Sequence, residues 1–417
     1  MAENRTFPAL KSEDLRDAAE EEFARKTRED KKPTGLLGET FGASAVPEWK
    51  EHWWAMPSFR MGNAQPNRQV LMNFFTEDDV KEFAERLGLN IHRKTRSIWF
   101  PHQTRARSRD WIFEGGDHSG RFPTYIPSKG RWDRQKTSQA LQRMGVPHNI
   151  VVEPQEAARY RANLEPLATL IVMPFGNLGQ GSIPVRNYIW ELVSKAGFSH
   201  HWIIDDNVLD FYRLTINRRV RVGTGAIFRA AEDWVLRYEN VAMAGLGDIT
   251  FFPERDPSIT PFRLNTRVYS MSLIRTDLPF RWRGRYNEDT DLSLRCLKAG
   301  WCTVQFSAFL GDKLATKSAS NKGTPGGNTD TVYAGDDFRL AFAKSLQEQH
   351  PDVVKIVWKF SRWHHEVDYR PFKKNQLKLR EGVTPMGPDF INEYGMRLRA
   401  RKRTHLKPKE EEQGGKA

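Results

Sequence analysis

Between residues 122 and 207 the chain alternates four short apolar runs with three helix-patterned segments, and this alternation restricts the fold more than any other feature. FPTYIP precedes DRQKTSQALQRMG, NIVVEP precedes PQEAARYRAN, and LATLIVMP precedes SIPVRNYIWELVSKAG. HHWIIDDNV then runs from apolar directly into acidic residues. Strands covered by helices on both faces read as continuous apolar stretches, so the pattern predicts an α/β unit with a mainly parallel central sheet. Ligands of such sheets gather at the carboxyl ends of the strands. That rule places SKGR (128–131), Glu153, the GNLGQGS loop and Asp205 around one crevice. Further along, the helix AIFRAAEDWVLRYEN, the runs VAMAGLGDITFF, RLNTRVYSMSLIR and CTVQFSAFL, and the acidic helix start YNEDTDLSLRCLKAG continue the unit, with antiparallel pairing expected among these strands.

The flanks read differently. Residues 1–46 mix ten acids and eight bases with few periodic apolar positions and are expected to form a flexible tail. Residues 47–120 read as a small α+β module: EWKEHWWAMP is aromatic, QVLMNFFT has strand character, and EDDVKEFAERLGL is a helix capped by Thr76 and ended near Gly88. Its exit, HRKTRSIWFPHQTRARSRD, interleaves six bases with Trp99 and Phe100. That composition suits phosphate contacts with base stacking, and equally an apolar strand with solvated flanks. The main unit is expected over 121–387, followed by a basic tail, 388–417, with eight bases and three acids from Met396 onward. The polar segment DKLATKSASNKGTPGGNTDTVY, with Lys317 and the Gly326-Gly327-Asn328 turn, is either a flap over the crevice or a passive loop.

Charge narrows the partners. Lys and Arg number 65 against 52 Asp and Glu, a net charge of +13, and the acidic first 46 residues leave an excess of +15 on the rest. Such a field attracts polyanions and makes nucleic acid the leading large partner. No apolar stretch approaches the ~18 residues of a membrane span, and MAENRTFPALKSEDLRD has no apolar signal core, so neither membrane insertion nor export is expected. Cys296 and Cys302 are too few for a disulfide framework or a zinc site, which fits a reducing cytoplasm.

Three clusters could carry chemistry. Asp205, Asp206 and Asn207 follow an apolar strand and offer oxygen ligands suited to Mg²⁺ or Mn²⁺, which would neutralise a diphosphate; the same residues also commonly form a turn. Glu288, Asp289 and Asp291 open a helix after RWRGRYN, either as a general base or as acids favoured at a helix start capped by Asn287. His364 and His365 follow a strand, as metal ligands or as structural groups.

Taken in order, YIPSKGRWDRQKTSQAL, GVPHNIVVEPQE, the Arg186-Asn187 helix, WIIDDNV, RYNEDTDLSLRCLKAGW and HHEVDYRPF resemble the TET-associated glycosyltransferases of bacteriophages over roughly residues 122–375, and with them the wider GT-A pattern. The resemblance implies a GT-A-like domain that moves a sugar from a nucleotide-sugar, a UDP-sugar, to the hydroxymethyl group of 5-hydroxymethylpyrimidines such as 5-hydroxymethylcytosine in phage DNA. It further implies Mn²⁺ or Mg²⁺, a setting in the cytoplasm of an infected bacterial host, and functional pairing with a TET-like dioxygenase. By the same resemblance Ser128, Arg131 and Glu153 hold the donor's base and ribose, and Arg186 and Asn187 contact its diphosphate or ribose. Asp205 and Asp206 meet the metal and the ribose, with Asn207 where many relatives carry a second Asp and His365 as a further metal ligand. Asp289 is the expected base, Asp291 the second choice, with Glu288 beside them. Two other readings stay open: a nucleotide-sugar transferase acting on a glycan or protein, and a DNA-binding protein whose crevice is vestigial.

Overall fold

A computed structural model of the chain describes residues 48–62, 70–93, 95, 98, 108–116, 120–254, 256–314 and 338–401. The expected tail 1–46, Trp99 and Phe100, and the segment holding Lys317 and Gly326-Gly327-Asn328 lie outside the described residues. The frame is a twelve-stranded sheet. Its strands are β1 (Trp111–Glu114), β2 (Thr124–Pro127), β3 (His148–Val152), β4 (Ala168–Val172), β5 (His200–Ile204), β6 (Val208–Thr215), β7 (Arg218–Val222), β8 (Val241–Asp248), β9 (Phe262–Leu264), β10 (Met271–Arg275), β11 (Cys302–Lys313) and β14 (Arg397–Ala400). They run in the order β14-β1-β7-β6-β11-β8-β10-β5-β2-β3-β4, with β9 against β11. A separate hairpin joins β12 (Val354–Lys359) to β13 (Arg362–Val367).

The pairing of β5 with β2, β2 with β3 and β3 with β4 is parallel, as the alternating pattern predicts, and antiparallel pairs appear in the later half, where β10 joins β5 and β8, and β11 joins β6. The fold class is the expected α/β. Side chains on successive strand residues leave opposite faces, and this sheet buries both: Ile126, Ile150, Val152, Trp202 and Ile204 enter one core, while Tyr125, Val151 and Ile203 enter a second. That second core is closed by the helix Ile183–Lys195 through Ile189, Trp190 and Val193. Among the described residues seven helices flank the strands: α1 (Glu77–Arg86), α2 (Lys136–Arg143), α3 (Ala157–Arg161), α4 (Ile183–Lys195), α5 (Ala226–Leu236), α6 (Glu288–Lys298) and α7 (Phe338–Gln349).

The flanks differ from expectation. Thr76 does cap α1, its side chain accepting from the Asp79 amide in a capping box. QVLMNFFT, however, forms no strand over its described residues. Val70, Leu71 and Phe75 are exposed, because no neighbouring strand offers a ladder or an apolar face. The expected boundaries near 120 and 387 are crossed by the sheet itself: β1 pairs in parallel with β7, and β14 pairs with β1. Trp53, Met56 and Phe59 join the first core, and Trp53 stacks on Phe262 at 6.0 Å. Each such buried side chain contributes roughly 1.5–3 kcal/mol. The sequence around them is too short and too aromatic to close a core alone, so it uses the main one.

Candidate active site

The chain leaves β5 at Asp205, enters β6 at Val208, and these two strands lie four places apart in the sheet. Asp205 and Asp206 therefore sit where the sheet order switches, at the carboxyl ends of parallel strands. Their side chains serve different partners. Asp206 accepts from the Ser128 hydroxyl at 2.6 Å and from the Arg131 guanidinium. Ser128 also bonds the Tyr160 hydroxyl at 2.7 Å, which in turn accepts from the Arg131 amide at 3.1 Å. Burial raises the carboxyl pKa of Asp206 against the pull of Arg131 and Ser128, and burial likewise raises that of Tyr160. On the rim, Glu153 accepts from the Lys129 ammonium at 2.7 Å; burial alone would raise its pKa, but Lys129, the Asn177 backbone and the Gln155 side chain together lower it. Ser128, Arg131, Glu153 and Asp206 are thus brought to one end of β2, β3 and β5.

Asp205 faces the other way. Its Oδ1 accepts from Arg186 Nη2 at 3.1 Å and its Oδ2 from Lys313 Nζ at 2.7 Å; Lys313 also donates to Ser270 Oγ at 2.7 Å. Burial alone would raise the pKa of Asp205, but Lys313 and Arg186 reverse it and hold it at about 2. Arg186 lies on the inward stripe of α4 with Ile183, Ile189, Trp190 and Val193, and this helical spacing carries a charge into the interior. There it meets Glu288 at 3.7 Å and Asp289 at 3.5 Å, and its guanidinium covers the Trp282 ring at 4.6 Å. Removing such a cation from water costs several kcal/mol, which its three carboxylate neighbours offset. Burial drives Asp289 up to about 7, with Arg186 opposing and Glu288 and Asp205 adding to the rise. Asp289 Oδ1 is buried without a hydrogen-bond partner.

Other expected site residues are placed elsewhere. Asn187 bonds the backbone of Trp282 with both ends of its amide, at 2.9 and 3.0 Å, and so positions that loop. Asp291 accepts from Arg283 and His350, both at 2.9 Å on Oδ1, and from Arg295 at 2.9 Å on Oδ2. Burial would raise its pKa, yet these partners lower it, and a carboxylate so occupied cannot take a proton from substrate. Asp291, expected as the second-choice base, is held between α6, the segment before it and the residue after α7. Asn287 does not cap α6 with its side chain, which donates to the Phe342 carbonyl at 2.8 Å. Glu288 accepts from Ser182 at 2.7 Å.

The expected metal set is not assembled. Both oxygens of Asp205 and of Asp206 are taken by protein donors, Asn207 donates to the Leu314 carbonyl at 3.3 Å with its own oxygen buried and unbonded, and His365 lies across from Ile356 in the β12–β13 hairpin. Among the described residues no group of three or more His, Cys, Asp or Glu side chains is placed to hold an ion. Burial, with Arg267 and His364 adding to it, lowers the His365 pKa to about 4. Tyr160, Ser270 and Lys313 were not anticipated. Lys313 had a signal: Asp312-Lys313 ends a long apolar strand just as Asp205-Asp206 does.

Among the described residues no helix is long and apolar enough to cross a membrane. No curated protein matches the chain. A family described as TET-Associated Glycosyltransferase matches over residues 122–323, which takes in both carboxylate clusters and ends before the β12–β13 hairpin. Residues 122–323 thus belong to the TET-associated glycosyltransferase family, which implies a glycosyltransferase with a GT-A-like α/β domain.

Proposed function

We propose that this glycosyltransferase moves a sugar from a UDP-sugar to the hydroxymethyl group of a 5-hydroxymethylpyrimidine in DNA. The observation that carries the reading is the meeting of an ionised Asp205, held by Arg186 and Lys313, with a buried Asp289 that titrates near neutrality. In this reading the donor's base and ribose lie against Ser128, Arg131, Glu153 and Asp206. Its diphosphate meets the positive charge of Arg186 and Lys313, which offsets the charge that grows on the leaving group. Asp289 accepts the proton of the acceptor hydroxyl, whose oxygen bonds to the anomeric carbon as the bond from that carbon to the diphosphate breaks and UDP leaves with the electron pair. No step is routed through a metal ion, because the side chains expected to ligate one are otherwise engaged. DNA as acceptor is supported by the excess of +15 beyond residue 46 and by the family to which residues 122–323 belong.

Mass spectrometry of hydroxymethylated DNA incubated with the protein and a panel of nucleotide-sugars tests this. The expected result is a hexose-sized gain on the modified base, with no gain on unmodified DNA. Asp205→Ala and Asp206→Ala should each lower transfer by at least about a hundredfold, the scale of losing a preorganised electrostatic group. Unchanged turnover in both would reject this centre, and sugar found instead on a glycan or protein acceptor would reject the DNA reading.

A further inference from the structure

The β12–β13 hairpin stands apart from the twelve-stranded sheet and has an unusual tip. Lys359 pairs with Arg362, so Phe360 and Ser361 are the two central residues of the turn, with φ of 52° and 56°. Two-residue turns of this hand favour Asn-Gly, and a bulky residue at positive φ is strained. Phe360 nevertheless occupies the first position with 86% of its surface exposed, and Trp358 beside it is 58% exposed. Phe360 meets the His364 ring at 6.2 Å, and Trp358 meets Trp363 edge-on at 5.0 Å. The folded chain gains little from these rings where they stand.

The two faces of the hairpin differ in chemistry. Cross-strand pairing puts Trp358, Trp363, Ile356 and His365 on one face, and Lys355, Lys359, Arg362, Val357, His364 and Glu366 on the other, where Lys359 is paired with Glu366 at 2.7 Å. The root is fixed: Val353 and Val354 pack with Leu294 and Leu297 of α6 and Leu346 of α7. The arm is therefore anchored on the same helix that carries Asp289 in its first turn. Arg267 links it further, lying near His365 and over the Tyr269 ring at 4.5 Å, one residue before Ser270.

We propose that this hairpin is a wedge for duplex DNA: Phe360 at the tip, with the exposed Trp358 two residues before it, enters the base stack where the acceptor nucleotide is extruded, while Lys355, Lys359 and Arg362 hold the flanking phosphates. The proposal rests on DNA being the acceptor. The hydroxymethyl group on C5 projects into the major groove; for it to enter a crevice at the end of a sheet its nucleotide is rotated out, and the gap left behind must be filled. An apolar side chain inserted between base steps does this at the cost of unstacking, and the basic face supplies sequence-independent affinity. The strained turn fits this use, since it presents an aromatic ring at the tip of an arm whose root is packed against α6 and α7.

The test uses the full chain with Phe360→Ala and with Phe360→Ala combined with Trp358→Ala. Duplexes carrying 2-aminopurine beside a 5-hydroxymethylcytosine, or beside an unmodified cytosine, report unstacking as a fluorescence rise. The unmodified duplex reads the wedge even where no sugar is transferred. Wild-type protein should give the rise; Phe360→Ala should lose most of it, and the double variant all of it, with binding weakened by less than about tenfold because phosphate contacts remain. Transfer to duplex should fall by about tenfold or more, the scale of one base–aromatic stack, while transfer to single-stranded acceptor stays within about twofold. A fluorescence rise that survives in the double variant, or equal loss of transfer on single and double strands, overturns the wedge. Absence of sugar transfer by wild-type protein on any hydroxymethylated DNA, with the rise intact, overturns the catalytic reading and leaves the wedge standing.

Discussion

Asp205 and Asp289 share one guanidinium, that of Arg186, and titrate in opposite directions. The difference lies in what else they touch. Lys313 places a second cation on Asp205, whereas Asp289 has an unpartnered oxygen and two acidic neighbours. An unfolded Asp loses its proton near about 3.9, and the folded Asp289 holds its own up to about 7. Between those values the folded state carries the extra proton, so Asp289 makes stability fall as pH rises from about 4 to 7 and leaves it flat above. Asp205 acts with the reverse sign: its contribution is present above about 4 and is lost as pH falls toward its folded value of about 2. As a base, Asp289 must be ionised, so the rate of transfer should climb with pH through about 7 and then level. Asp289→Asn should cut transfer by at least about a hundredfold and abolish that climb. The same variant should melt a few degrees higher at pH 8 and unchanged near pH 4, since it removes a buried charge present only at the higher pH. An Asn variant with a wild-type pH profile would take the base role from Asp289.

One helix holds both the group that reacts and the group that anchors. On α6, Asp289 and Asp291 are two residues apart and so point to different sides of the helix. Asp289 turns to Arg186 in the crevice; Asp291 turns to His350, which follows α7, and to Arg283 and Arg295. The pair should separate cleanly in experiment. Asp291→Asn should lower stability by about 3–5 kcal/mol, the cost of leaving buried cations without their partner, while transfer per folded molecule stays near wild type. Asp289→Asn should do the opposite, and urea titration followed by a turnover assay at low denaturant reads both. The residue types of the acidic helix start were legible in the sequence. Which neighbour was structural was not legible, because His350 comes 59 residues later and its approach depends on tertiary packing. The parallel strands were legible for a physical reason: HHWII and NIVV are buried on both faces and so carry apolar side chains without alternation. QVLMNFFT has the same local chemistry and failed, since a strand also needs a partner and none is paired with its described residues.

At the scale of the whole chain, segments that read as separate from the main unit turn out to close it. Arg213 on β6 is 1% exposed; its guanidinium binds Glu393 at 2.5 Å and the Ser58 carbonyl at 2.7 Å, and it lies over the Phe113 ring of β1 at 4.5 Å. Glu393 also accepts from the Ser58 amide at 2.9 Å. One buried cation thus joins stretches near residues 58, 113, 213 and 393, none of them neighbours in sequence. Composition could not show this, because Arg and Glu in a charged flank read as solvated and the fold alone brings them together. If residues 48–62 and 388–401 were independent of the sheet, loosening this joint would release them in an early step and leave the main transition in place. The packing predicts otherwise. Glu393→Gln removes a charge from a half-buried pair and should cost about 2 kcal/mol, which for a protein of this size lowers the melting temperature by about 2–5 °C. Tryptophan fluorescence and far-UV circular dichroism should fall together in one shifted transition, since Trp53 and the sheet share one core. A first step seen by fluorescence alone, with the circular dichroism transition unmoved, would show that the N-terminal aromatics are a detachable layer.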